Sequence, residues 1–209
     1  RGALPVVLVD AAPWPEHDAI EIDDTAGALA AARHLLELGH RQLLVLTMEP
    51  SQAQNDAASV IGRRMRGYRL ALEEHEVALE PGQVVVAPAT FEGGEAAFLR
   101  AWADGLRPTA VLSMSDAAAA GVLQAARHLK LRVPDDLSVV GFDDLPLTRF
   151  TDPPLTTVHQ PVRRKGEEAA RMLLSALAAD GSRTAEHRVL ETRLVVRHST
   201  APPATGVRR

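Results

Sequence analysis

The sequence predicts an α/β protein: a doubly wound parallel sheet forming one complete subdomain, plus part of a second. Three observations carry that expectation. Short apolar runs alternate with segments of helical periodicity almost throughout the 209 residues. Strands separated by such helices form parallel sheets covered on both faces. The alternation then breaks down near both ends, so that a strand or two and one helix at each end need not belong to the central sheet.

In order, residues 6–9 form an apolar run followed by a helix-poor stretch, 11–18, that contains Pro13 and Pro15. Residues 19–22 read as a second strand. Over 24–38, Leu29, Ala32, Leu35 and Leu36 make an apolar stripe with Arg33 and Glu37 outside it. Asp24 or Thr25 can cap that helix and Gly39 can stop it. Further strands are expected at 43–46, 84–87, 110–114 and 138–142, with helices at 57–75, 91–104 and 116–129 between them. Gly105 follows the third helix, and Pro134 follows the fourth. After Asp144 periodicity is lost until a strand at 155–158 and a helix at 162–179, and the run 189–196 is expected to return to the central sheet. Crossovers are expected near 22–24, 150–157 and after Gly181. The partial amino-terminal subdomain then comprises 1–23 and 156–182, the complete one comprises 24–155 and 183–200, and 201–209 is a disordered tail.

Composition excludes several classes. Net charge is −4, with apolar residues 46% and charged residues 24%, so no basic footprint for nucleic acid is present. Without cysteine there is neither a disulfide nor a thiolate metal site. No run reaches the roughly 18 apolar residues that span a bilayer, and residues 1–7 lack the apolar core of an export signal. No nucleophile elbow, dinucleotide fingerprint or phosphate loop occurs, and the eight histidines show no metal-ligand spacing. The expectation is a non-enzyme with no catalytic residue, metal or cofactor. Basic residues are nearly all arginine, Lys130 and Lys165 being the only lysines.

The most informative stretch is Leu137-Ser-Val-Val-Gly-Phe-Asp-Asp144, followed by Pro153-Pro-Leu-Thr-Thr-Val-His-Gln-Pro161. In an open parallel sheet the ligand crevice lies outside the carboxyl ends of the strands. Asp10, Ser115 and Asp143 each follow an apolar strand, so all three are expected to face that crevice. A carboxylate accepts two hydroxyl hydrogen bonds, which suits a vicinal diol. Arg64 offers a planar donor fork, and Gln160, following another strand, offers both a donor and an acceptor.

The order of several further pieces resembles a known family. They are Leu4-Pro-Val-Val-Leu-Val-Asp10, Leu38-Gly-His-Arg41, Arg64-Met-Arg-Gly-Tyr-Arg-Leu-Ala-Leu72, Phe91-Glu-Gly-Gly94, Arg107-Pro-Thr-Ala-Val-Leu112, Ser115-Asp116 and Leu131 through Asp144. Together with Pro154-Leu-Thr-Thr-Val-His-Gln160 they resemble the effector-binding core of LacI/GalR-type bacterial transcriptional regulators, which have a periplasmic-binding-protein-like type I fold. The resemblance implies a cytoplasmic regulator core that binds a small polar effector, a sugar above all, without membrane association. It implies effector contacts at Asp10, Arg64, Ser115, Asp143 and Gln160. It further implies a homodimer through Ala117, Ala120, Leu145 and Phe150, and operator binding only through an amino-terminal helix-turn-helix that these residues lack. A solute-binding protein of the same fold serving transport is the alternative. Two departures accompany the resemblance: Ser115 stands where asparagine is frequent, and Ala89 stands where an aromatic often stacks on the effector. Phe91 is expected to be a core anchor.

Overall fold

The computed structural model describes residues 4–11, 14–48, 58–179 and 184–204. The larger layer is a six-stranded sheet built from β3 (Leu43–Thr47), β4 (Val84–Val86), β5 (Ala110–Ser113), β6 (Ser138–Asp143), β7 (Thr156–His159) and β9 (Arg193–Val195), in the order β4-β3-β5-β6-β7-β9. All its pairings are parallel except β7 with β9. The smaller layer holds β1 (Val7–Val9), β2 (Asp18–Ile22) and β8 (His187–Leu190), parallel in the order β1-β2-β8.

The strand side chains sort by the two-residue period of the pleat. Leu43, Val45, Ala110, Leu112, Val140 and Phe142 face α1 (Asp24–Glu37) and α2 (Val60–Glu74). Leu44, Leu46, Val111 and Val139 face α3 (Phe91–Ala103) and α4 (Asp116–His128) on the other side. Both faces are therefore dry, which is why the sequence reads as continuous apolar runs. The chain leaves β3 to one side for β4 and returns on the other side for β5, so the topological switch point lies between β3 and β5.

In the smaller layer α5 (Val162–Ala178) packs on β1 and β2, with Lys165 and Met172 its buried residues. The chain passes between layers three times, at 22–24, 159–162 and 190–193. At the first and third passages Asp23 N–H donates to Leu190 O at 2.9 Å and Thr192 Oγ1 donates to Asp23 O at 3.0 Å, which stitches the two strands of the hinge together.

Five expectations need correction. The 156–182 segment is not all in the smaller layer, because β7 pairs with β6 along its whole length. Residues 183–200 are likewise divided: β8 pairs with β2, and only β9 joins the large sheet. The run 189–196 therefore holds two strands, broken at the hinge by Glu191 and Thr192. Residues 201–204 are not a free tail, since Ala201 exchanges hydrogen bonds with Ser138 Oγ and accepts one from His40 Nε2 at 2.9 Å. Residues 205–209 lie outside the described residues. The cap of α1 is Asp23, whose carboxylate accepts from Ala26 N–H at 2.8 Å, and not Asp24 or Thr25.

Candidate functional site

Two strand ends carry three aspartates in left-handed backbone: Asp10 after β1 at φ 53°, and Asp143 at φ 123° with Asp144 at φ 57° at the end of β6. Such conformations cost free energy in a residue with a Cβ, although aspartate tolerates them better than most. Strain of this kind concentrates where a side chain must be aimed. Here it sends the neighbouring Asp143 and Asp144 to different partners.

Asp143 Oδ1 accepts from Gln160 Nε2 at 2.6 Å and lies 3.8 Å from Arg64 Nη2. Gln160 Oε1 accepts from Lys165 Nζ at 2.7 Å, and the same ammonium is bonded to Asp10 Oδ2. Asp10, Lys165, Gln160, Asp143 and Arg64 thus form one unbroken polar chain from the small sheet, through the second crossover, to the large sheet. Burial pushes the Asp143 carboxyl above the usual carboxylate range, against the opposing pull of Arg64, Gln160 and Lys165.

Arg64 is placed by helix packing. A Cβ on Gly67 would stand 2.3 Å from Thr25 O, so glycine is what lets α2 lie against the first turn of α1. Arg64, one turn earlier, then meets Asp24: its Nε donates to Asp24 Oδ1 at 2.8 Å and its Nη1 to Met114 O at 2.5 Å. Its guanidinium sits 3.6 Å over the Phe142 ring, a cation–π contact that holds the fork at the end of β6. Asp24 is also paired with Arg63 at 2.9 Å, and Arg63 with Glu21 at 3.1 Å.

Of the five predicted effector residues, the structure gathers Asp10, Arg64, Asp143 and Gln160. Ser115 is not in this chain: its Oγ caps α4 by accepting from Ala118 N–H at 3.2 Å. Lys165 was missed. Its signal was slight, a lone lysine in an arginine-dominated chain, five residues after Gln160. Phe91 is no core anchor; it is 42% exposed. With Ala117, Ala120, Leu147, Phe150 and Thr151 it lines an apolar cavity of about 360 Å³ at the start of α3 and α4.

A second cluster backs the first. His159 Nδ1 and Arg197 Nη2 approach Asp144 at 2.9 and 2.5 Å. Burial pushes the Asp144 carboxyl up, but the hydrogen bonds and charges of Arg197 and His159 outweigh it and hold the group below its ordinary value. Asp116 accepts from Thr157 Oγ1 at 2.5 Å and from Leu145 N–H at 2.7 Å. There burial prevails over both hydrogen bonds and raises the carboxyl to about 7.

Comparison with known proteins fits this geometry. Residues 32–200 match the periplasmic binding protein-like domain. The chain is 36% identical to the HTH-type transcriptional regulator DegA of Bacillus subtilis, covering 95% of this chain and 57% of that protein. It is 34% identical to the ribose operon repressor of Haemophilus influenzae, covering 94% and 58%. Among solved structures it superposes on a putative LacI-family transcriptional regulator from Sanguibacter keddieii with TM-score 0.85 and 32% identity, covering 93% of this chain and 73% of that one. A LacI-family regulator from Enterococcus faecium with bound ribose gives TM-score 0.82 at 26% identity, covering 95% and 71%. The chain belongs to the periplasmic-binding-protein-like domain family, in its LacI branch. It spans a little over half the length of the curated relatives it matches. Among the described residues no helix is long and apolar enough to cross a membrane.

Proposed function

We propose that the chain is the effector-binding and dimerisation core of a bacterial LacI-type transcriptional regulator. A sugar or related small polar metabolite binds in the cleft between the layers, and its occupancy is coupled to operator binding by a helix-turn-helix elsewhere in the full protein. The core works in the cytoplasm and catalyses nothing. The observation that carries this reading is the polar chain Asp10–Lys165–Gln160–Asp143–Arg64, which gathers donors and acceptors beside the strand ends of both layers. Asp143 and Arg64 supply an adjacent acceptor and donor fork, the pairing that a vicinal diol satisfies. Ser115, capped onto α4 but still holding its own hydroxyl proton, completes the effector set as a donor from the end of β5.

A thermal-shift screen against sugars, sugar phosphates and purines tests it. A ligand that binds only the folded state stabilises it by about 2.7 kcal/mol at a hundredfold excess over Kd. A screen in which no compound raises the melting temperature of the well-folded chain would overturn the effector-binding role.

A further inference from the structure

Lys165 is 6% exposed, yet it lies in the first turn of a helix whose other side chains are mostly exposed. A buried ammonium persists only where acceptors surround it, and this one has two, from different parts of the fold. Asp10 ends β1 in the small layer, and Gln160 lies in the crossover toward the large one. We propose that Lys165 is a positioning residue of the effector cleft, which fixes the orientation of the Gln160 amide and through it the presentation of Asp143. The proposal rests on the effector-binding reading of that cleft and assigns to it a residue that does not itself need to touch the ligand.

The argument is one of donors and acceptors. An ammonium has only protons to give, and an ionised carboxylate has only lone pairs. Gln160 lies between the two, so only one of its amide orientations satisfies both: Oε1 toward Lys165 at 2.7 Å and Nε2 toward Asp143 at 2.6 Å. Without the ammonium, the amide loses what distinguishes its two ends on that side. With it, Asp143 Oδ1 is held by Gln160 and faced by Arg64, and among the described residues Oδ2 takes no hydrogen bond. The cleft therefore offers an incoming molecule an open carboxylate oxygen beside the Nη2 protons of Arg64. Asp10 Oδ1 is also buried without a hydrogen-bond partner among the described residues. Both open groups are acceptors, so the ligand class this favours is one rich in hydroxyl donors. A lysine suits the task better than arginine, because one compact nitrogen directs three protons at converging acceptors.

The chain contains only two lysines, so selective ¹⁵N-lysine labelling gives a spectrum that one substitution assigns. The expected result is one slowly exchanging ammonium signal, lost in Lys165→Met. In the same variant the Gln160 side-chain amide signals should shift and lose exchange protection. The Asp143 carboxyl, followed by ¹³C, should titrate higher, and Lys165→Arg should return it toward wild type. A folded Lys165→Met chain with unchanged Gln160 and Asp143 signals would reduce Lys165 to a partner of Asp10 and overturn the proposal. If Lys165→Met does not fold, the wild-type spectrum decides, since a rapidly exchanging Lys165 ammonium overturns it as well. None of these readouts uses an effector, so a cleft that binds no sugar would defeat the functional reading while leaving this result standing.

Discussion

Asp143 has one carboxylate oxygen occupied by Gln160 and, among the described residues, no hydrogen bond on the other, so Asp143→Ala should strip a ligand of its acceptor while leaving the fold standing. Losing a charge-assisted hydrogen bond costs about 1.5–3 kcal/mol, and calorimetry should show effector affinity falling by at least tenfold in a variant that melts near wild type. Arg64→Ala should behave differently. Its guanidinium neutralises Asp24, which is fully buried, and satisfies Met114 O. Arg63 still pairs that carboxylate, so the cost is that of the lost charged hydrogen bonds, about 1.5–3 kcal/mol, and urea denaturation should show lowered stability as well as lost binding. An Arg64→Ala chain as stable as wild type would contradict the geometry. Four of the candidate side chains were legible because each follows a strand end or precedes a helix-crossing glycine. Lys165 was not, because on helical periodicity it reads as one more solvated basic residue beside Arg163 and Arg164. Ser115 was half legible: a serine opening a helix is also the ordinary sign of a cap.

Helix–helix contact and strand-end chemistry set the behaviour of the elements. A Cβ on Gly121 of α4 would stand 2.0 Å from Phe91 O of α3, and one on Gly94 of α3 would stand 2.0 Å from Ala118 O of α4. Backbone cannot step aside as a side chain can, so Gly121→Ala should destabilise by about 1–3 kcal/mol, read as a lowered denaturation midpoint. Asp116, on the first turn of α4, gives a pH signature. Burial raises its folded carboxyl to about 7 from an ordinary value of 3.8, so the fold holds this proton more tightly than the open chain does. Its contribution to stability is therefore full below 3.8, falls as pH rises toward about 7 and is absent above it. Asp116→Asn should flatten that slope. It should cost little at low pH, because the amide can keep Oδ1 on Leu145 N–H and turn Nδ2 to the Thr157 hydroxyl, as the protonated carboxyl does. A pH–stability profile with the wild-type slope would refute the assignment. Most elements could be read from the chain because strands covered on both faces leave unbroken apolar runs between helices. The hinge strands could not: β8 and β9 are separated by only Glu191 and Thr192, and their assignment to different sheets depends on long-range pairing.

For the molecule as a whole, the proposed homodimer face is the apolar hollow at the start of α3 and α4. Phe150 is 85% exposed there, beside Leu147, Phe91, Ala117 and Ala120. The alanine run argues for a partner less strongly than its composition implied, since Ala118, Ala119 and Ala120 are buried within the chain itself, Ala119 in the core that α3 and α4 share with the sheet. What remains unexplained within one chain is an exposed phenylalanine at the wall of an apolar hollow of about 360 Å³. A two-fold axis beside such a patch would bury both copies of it, as the apolar centre of a stable interface of about 1,200–2,000 Å² requires. The same turn is tied to the cleft. Asp144 binds Thr148 and Arg197 one residue after Asp143, and Asp116 holds Leu145 N–H. Light scattering at micromolar protein should give twice the chain mass, and Phe150→Asp should halve it. Leu145→Asp should halve it too, but Leu145 is half-buried and adjoins the Asp116 bond, so a misfolded variant would give the same trend. Phe150, whose side chain is mostly exposed, separates the two outcomes. A wild-type monomer, or a dimer that Phe150→Asp leaves whole, would move the interface elsewhere. A clean split would locate it on the layer that keeps its six strands whether or not the smaller one is complete.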